Sequence, residues 1–439
     1  MIMRPSVFCL ISSVTWAVLG GGLISCASYT TETAAMREAY IRGNYDLALE
    51  SLEKSGLKDR SQDRLLWRLE AATILDRKGE FDKSRLLWFE ADRIADQLLT
   101  LSISKSATSL IVSESSGDYD GEDYEKVAIH AMLAHQYIGL GQLDEARVEA
   151  RKLNTKLDEI NQKYNPDGKY KYKEDAHARY ISALIYEARG ELDHAIVDYE
   201  KARKLYEGEF SGYIQGPLPR GLIKGLYRCL VLRGRQDRVQ LIESQYGPKS
   251  SVGIDFDRIG ELRTNGEVVV VHELGRVAAK YSREEMLTVS DQLVRFSSPQ
   301  VRPNPITNLG TGILVNQTDF FTAENTVYMD AIAQDSLENS RSRLLAKQMT
   351  RLLAKGQINY QAKKQFGPLG GLAANVLTLA TETADTRSWT TLPQAFFITR
   401  ARLSPGQHQI VVRTNGRSSE IKTVQVKRGQ ISILRAIDG

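Results

Sequence analysis

Four short stretches of this chain share one shape: GNYDLA at 43–48, GEFDKS at 79–84, GQLDEA at 141–146 and GELDHA at 190–195. Each opens on glycine, places Tyr, Phe or Leu two residues on, and Ala or Ser three residues after that. Glycine suits the left-handed residue that ends many helices. The bulky residue fills the gap inside a helix pair, and the small one lets the second helix approach closely. A chain that repeats such a turn builds helical hairpins, and each hairpin buries its apolar face only against its neighbours.

Positions around the turns repeat as well. Ala134 and Tyr137 precede Gly141 by seven and four residues, and Ala183 and Tyr186 stand at the same offsets from Gly190. Ala72 lies seven before Gly79. Beyond the turn, Leu52, Trp88 and Tyr199 hold the large position of the second helix, while Ala150 departs from it. A degenerate fifth copy surrounds Gly234. This pattern resembles the tetratricopeptide repeat (TPR). The resemblance implies a curved solenoid whose concave surface binds peptides or partner proteins; a stack that merely supports the rest of the chain is the alternative. Tyr137 and Tyr186 are expected to be buried, and Ala146, Ala183 and Ala195 to sit in close helix contacts. Successive glycines lie 36, 62, 49 and 44 residues apart. The surplus falls in 108–125 and 161–175, which carry turn residues and read as loops or helix extensions.

Texture changes near residue 250, at GPKSSVG. Residues 27–250 carry 34 basic and 37 acidic side chains, whereas 251–439 carry 23 and 17. GEVVVVHELG (266–275) predicts a strand, and GILVNQ and TVYMDAIA are weaker candidates. FFITRARL, HQIVVRT, IKTVQVKR and ISILRAI alternate with turn sequences and predict successive strands. The expected fold class is α+β: an N-terminal α-solenoid of TPR-like hairpins over 35–250, then a C-terminal antiparallel β domain over 251–439, in the form of a small sandwich. A helical insert is expected at about 331–382, with Arg343, Lys347 and Arg351 on one stripe and Leu345, Met349, Leu352 and Leu353 on another.

The first 25 residues read as an export leader: Arg4, then a mostly apolar run from Val7 to Ile24. Leu23-Ile24-Ser25-Cys26 resembles the lipobox of bacterial lipoproteins. That resemblance implies cleavage before Cys26, lipidation of its thiol, and a short tether over 26–34. Several acyl chains on one residue hold a protein firmly at a membrane. Ala27, not aspartate, follows the cysteine, which by the same analogy implies, for a Gram-negative host, the outer membrane, facing the periplasm. With Cys9 in the leader and Cys26 acylated, Cys229 remains alone, and no intrachain disulfide can form. Its setting, LYRCLVL, reads as core.

Catalytic patterns are scarce. HELGR (272–276) opens like a zinc-protease motif but has Arg276 where the second histidine is needed. No phosphate-binding loop or nucleophile elbow occurs. DYDGED (118–123) fails the order of a calcium loop and reads as a solvated loop. KYNPDGKYKYK, which interleaves lysine with tyrosine, reads as a basic surface loop. Asp385, Arg387 and Trp389 in ADTRSW read as a structural lock before Pro393, held by hydrogen bonds and a cation–π contact.

GEDYEKV (121–127), DEARVEARKLN (144–154) and ADTRSWTTLP (384–393) together resemble a family of bacterial TPR-containing lipoproteins. The resemblance implies an architecture and an envelope location, and no activity. The expected function is therefore a non-enzymatic, lipid-anchored periplasmic adaptor that holds an envelope protein in its groove, without cofactor, metal or nucleic acid. The alternatives are an envelope enzyme acting on glycan and an accessory regulator of peptidoglycan synthesis. A pocket lined by paired carboxylates would favour the enzyme, and an open concave groove the adaptor.

Overall fold

The computed structural model describes residues 29–104, 117–164, 174–289, 292–305, 310–341, 344–346, 348–350, 384–414 and 417–437. The leader, Cys26, the lysine–tyrosine stretch beyond Tyr164, and most of the expected insert, including Arg343, Lys347, Arg351, Leu352 and Leu353, lie outside them.

A short helix α1 (Tyr29–Glu32) leads into α2 (Ala34–Ile41) and α3 (Tyr45–Lys54). Four further hairpins follow. They are α4 (Arg64–Lys78) with α5 (Phe81–Ser104), α6 (Asp123–Gly139) with α7 (Leu143–Tyr164), α8 (Ala176–Ala188) with α9 (Leu192–Glu207), and α10 (Arg220–Leu232) with α11 (Gln236–Tyr246). Gly43, Gly79, Gly141, Gly190 and Gly234 all take positive φ, between 67° and 85°, at the turn of their hairpin. Glycine adopts this backbone without steric cost. The turn pattern thus has one physical cause in all five copies. Ala146, Ala183 and Ala195 are fully buried, as are Leu52, Trp88, Tyr199 and Cys229.

The two helices of each hairpin are buried differently. Outer helices bury one stripe: α11 buries Val239, Ile242 and Tyr246. Inner helices are covered nearly all round: α4 buries Leu65 to Trp67 and Leu69 to Asp76 without a break, and α8 buries nearly every residue from Ala176 to Glu187. A helix buried on every side has neighbours on both faces. One face meets the outer helices, and the other meets a β-sheet.

That sheet follows α12 (Ile259–Thr264). Its strands β1 (Gly266–Leu274), β6 (Glu324–Tyr328), β7 (Ala395–Leu403) and β10 (Ile431–Ile437) lie in the order β10-β1-β7-β6. A second sheet has the order β5-β4-β8-β9, from β4 (Gly312–Val315), β5 (Asp319–Thr322), β8 (Gly406–Thr414) and β9 (Arg417–Val426). Val268, Val270 and Ala401 of the first sheet pack on Ile313, Ile410 and Val426 of the second. Val269, Val271, Ile398 and Ile433 face the other way and join the core of the helical array. Buried on both faces, β1 reads as an almost unbroken apolar run. Four layers result: outer helices, inner helices, first sheet, second sheet.

Several expectations need correction. The sandwich is not wholly antiparallel, because β10 pairs with β1 in parallel, Val269 opposite Ile433. Strands β2 (Lys280–Val289) and β3 (Gln292–Val301) form a long hairpin of their own that the sequence did not announce. TVYMDAIA is strand only to Tyr328, and a helix over 329–341 starts at Met329. Tyr29–Glu32, within the expected tether, is helical, with Tyr29 buried. DYDGED is no solvated loop: Tyr119 and Asp123 are buried, and Glu122 pairs with the buried Lys280 of β2.

Candidate functional site

The concave face expected to receive a partner is filled by the first sheet. Three clusters of buried polar side chains join the two. Each is built from an inner helix and from a strand or loop more than a hundred residues away.

At the first hairpins, Glu70 of α4 is fully buried. Its carboxylate accepts hydrogen bonds from Tyr29 Oη at 2.6 Å, from Thr390 N at 2.6 Å and Oγ1 at 2.8 Å, and from Thr391 N at 3.1 Å and Oγ1 at 2.5 Å. Trp389, also fully buried, donates Nε1 to Thr73 Oγ1 at 2.9 Å and its backbone N–H to Glu125 Oε1 at 2.8 Å. Arg387 pairs with Asp385 at 2.6 Å and reaches Asp63 at 2.8 Å. Asp385, Arg387 and Trp389 therefore fasten the segment before β7 to α4, α6 and the turn before α4. The aromatic ring under the Arg387 guanidinium is that of Tyr119, at 5.4 Å. The expected contact with Trp389 is replaced because the indole is turned into α4.

In the middle, Arg435 of β10 binds Asp76 of α4 at 2.6 Å and Glu273 of β1 at 2.7 Å. Arg77 binds Glu273 at 2.8 Å. Burial pushes the Glu273 carboxyl up, but Arg435 and Arg77 outweigh it and hold it well below the usual carboxylate range. His135 Nδ1 lies 3.2 Å from Glu273, its Nε2 lies 3.1 Å from His177 Nε2, and His177 Nδ1 lies 2.9 Å from Thr326 Oγ1 on β6. Burial and then the neighbouring His135 keep His177 well below its ordinary value, so it is neutral.

Near the last hairpins, Glu187 of α8 binds Arg228 of α10 at 2.5 Å and Arg400 of β7 at 2.8 Å, and accepts from Tyr199 Oη at 2.6 Å. Arg400 also pairs with Glu267 of β1. The backbone makes room for this. A Cβ on Gly225 would stand 2.6 Å from both Arg400 Nη1 and Tyr199 Oη, and one on Gly139 would stand 3.3 Å from the Arg435 side chain.

In the middle and last clusters two carboxylates face two guanidiniums, so the charges compensate. Paired carboxylates exist, but arginines close them to substrate. An open surface cavity of about 470 Å³ lies at the turns of the second and third hairpins, lined by Glu80, Phe81, Arg85, Leu140 and Gln142 among others. It holds none of these clusters. Neither arrangement that would have separated adaptor from enzyme is present as expected among the described residues: the first sheet fills the groove, and the buried carboxylate pairs of the clusters are bound by arginines.

The remaining sequence candidates are packed. Tyr186 is buried, with Arg151 donating to its hydroxyl at 2.6 Å, and Tyr137 is half-buried beneath Arg85. His272 sits on strand β1, not on a helix, beside Thr399 Oγ1 at 2.8 Å, and burial lowers it to about 3. Burial pushes the Cys229 thiol up, so it is a poor nucleophile. Among the described residues no group of three or more His, Cys, Asp or Glu could hold a metal, and no helix is long and apolar enough to cross a membrane.

The outer helices carry a feature that sequence reasoning missed. The residue seven after the turn glycine is Leu86, Val148, Val197 and Leu241 in four consecutive hairpins, and these are 64%, 47%, 52% and 53% exposed. Ion pairs tie the same outer helices together: Lys156 of α7 to Asp96 of α5, Arg147 of α7 to Glu191 before α9, and Arg238 of α11 to Glu200 of α9. Aligning the turns and reading one column would have shown the apolar row.

No protein-family model and no curated protein matches the chain. Solved structures of repeat proteins resemble part of it. A Podosopora anserina protein of nearly identical TPR-like repeats is 18% identical with a TM-score of 0.32, over 49% of this chain and 90% of that one. The MamA protein is 14% identical with a TM-score of 0.29, over 52% and 97%. A tetratricopeptide repeat protein from Parabacteroides merdae is 14% identical with a TM-score of 0.21, over 51% and 80%. Likeness this weak carries no functional argument. The TPR-like character of the helices rests on their own turns and burial.

Proposed function

We propose that this chain is a lipid-anchored scaffold of the bacterial envelope, facing the periplasm from the outer membrane, and that its protein partner docks on the outer helices and not in the groove. One observation carries the reading. An apolar residue stands exposed at the same place in four consecutive hairpins, on the outer helices. Exposed apolar rows with polar rims mark interaction surfaces. This row is one residue wide per hairpin and bordered by ion pairs. It fits a narrow apolar stripe, such as one face of an amphipathic helix of the partner. The anchor is read from Leu23-Ile24-Ser25-Cys26 at the end of the apolar leader. The buried charge clusters serve assembly of the molecule itself.

The test is photocrosslinking in native membranes from a probe at Gln240, beside Leu241. Leu86→Asp with Val197→Asp should abolish the crosslinked product while the melting temperature stays within about 2 °C of wild type, since exposed substitutions usually change stability little. Unchanged crosslinking in a folded double variant would remove the outer face as the docking site.

A further inference from the structure

The turn edge of the hairpins carries a ladder of ion pairs with one rung missing. The third residue after each turn glycine is aspartate in all five copies: Asp46, Asp82, Asp144, Asp193 and Asp237. Each stands exposed in the first turn of its outer helix, where the helix dipole favours negative charge. The residue just before the turn glycine is basic in four copies, as Arg42, Lys78, Arg189 and Arg233. In the third hairpin it is Leu140.

From one hairpin to the next, the aspartate of the first reaches the base of the second. Asp46 pairs with Lys78 at 2.8 Å, Asp144 with Arg189, and Asp193 with Arg233. Between the second and third hairpins the same two positions hold Asp82 and Leu140, which cannot pair. The surface cavity opens at this seam, and both residues line it, together with Phe81, Arg85 and Gln142. Leu140 is 40% exposed.

Asp82 does have a partner on its own helix, Arg85, three residues on. That contact does not complete the rung. Asp144 likewise has Arg147 on its own helix, at 3.6 Å, and still takes Arg189 from the next hairpin. Arg85 is also divided: its Nη1 donates to Gln136 at 3.2 Å, and its guanidinium lies 5.5 Å over the Tyr137 ring. Lys83, the other cation of the lining, is bound to Glu80. A carboxylate has about four acceptor positions, and that of Asp82 is 92% exposed. It has room for a second cation.

One cavity therefore offers an accessible carboxylate beside an apolar wall of Leu140 and Phe81. A long basic side chain has the matching halves, an aliphatic stem and a charged head. The volume, about 470 Å³, lies within the range of clefts that hold ligands. Arginine fills the equivalent place in the fourth and fifth hairpins, and its planar fork suits a carboxylate. We propose that the cavity binds an arginine side chain of another protein, with its stem on Leu140 and its guanidinium on Asp82, so that the partner supplies the missing rung. The contact lies on the turn edge. It goes beyond the apolar row of the outer helices and is tested without it.

The experiment uses the full chain in detergent micelles and the dipeptide acetyl-arginyl-photoleucine amide as probe. After irradiation, mass spectrometry should find label on the segments that carry Asp82 and Leu140. Leu140→Arg, which supplies the base from within, should reduce the label at least tenfold without lowering the melting temperature. Asp82→Asn should reduce it at least fivefold, and Asp193→Asn, at a completed rung, should leave it unchanged. The dipeptide with norleucine in place of arginine should label at least fivefold less. No label on these segments in the wild type, full label in folded Leu140→Arg or Asp82→Asn, or equal label from the norleucine dipeptide overturns the proposal. Displacement by methylguanidine at the concentration of the dipeptide would assign the cavity to a small cation and overturn the assignment to a protein.

Discussion

His135 and His177 face each other nitrogen to nitrogen, 3.1 Å apart, where α6 and α8 meet the first sheet. A single N–H···N hydrogen bond can span that gap. Glu273 faces the far side of His135, with Arg435 and Arg77 beyond it, and Thr326 faces the far side of His177.

Acid should therefore loosen the interface. The folded protein holds His177 below its ordinary value, so the stability it contributes is full above about pH 6.5 and is lost as pH falls below that. The melting temperature should drop between about pH 7 and pH 5, and His177→Gln should flatten that drop. A profile with the same slope in wild type and variant would rule out this source.

His130 has the opposite sign. Burial lowers it, but hydrogen bonds to Asp92 and Glu149 outweigh burial and raise it above its ordinary value. Its contribution is full below about pH 6.5 and disappears as pH rises through the folded value. His130→Gln should remove a loss of stability on the alkaline side, read from the same melting series.

Arg435→Leu would strand Asp76 and Glu273 in a buried site, with Arg77 their remaining charged neighbour. Removing one partner of a buried ion pair costs about 3–5 kcal/mol. Urea unfolding should show that loss, and a cost below about 1 kcal/mol would mean the carboxylates are solvated.

Gly225→Ala tests how closely the sheet approaches. Within an exposed helix this change is favourable by about 1 kcal/mol. Here the new methyl meets Arg400 and Tyr199 at 2.6 Å, so a loss of about 1–3 kcal/mol is expected instead. Ala183→Leu, inside α8, should cost a similar amount by overpacking.

The local elements were readable in the sequence because their causes are local. A turn glycine at positive φ and an alternating strand each leave a mark within ten residues. The filled groove was not readable, because its determinants are paired across the chain: Asp76 with Arg435, Glu187 with Arg400, Glu70 with Thr391. An aspartate or glutamate on a helix reads as solvent-facing until its distant partner is known. One clue was present. AHARYISALIYEA, the sequence of α8, has no broad polar face, and a helix of that kind needs cover on both sides. Similarly, GEVVVVHEL announced a strand buried on both faces, but not what would bury it. The hairpin of β2 and β3 was hidden because Glu284, Glu285 and Pro299 interrupt any alternation.

The parallel pairing of β10 with β1 sets the order in which the molecule can be completed. A free-standing repeat array propagates from neighbour to neighbour and frays from its ends. This one is closed by β10, whose Arg435 reaches a residue 359 positions earlier. A chain emerging N-terminus first would form its hairpins while Asp76 and Glu187 still faced water. Strands β7 and β10, distant in sequence from the hairpins, turn those helices into interior. Closing so long a loop is slow, and the open array exposes apolar surface while it waits. Once β10 is in place, no inner hairpin can peel away without dismantling the sheet, so helices and strands should melt in a single transition.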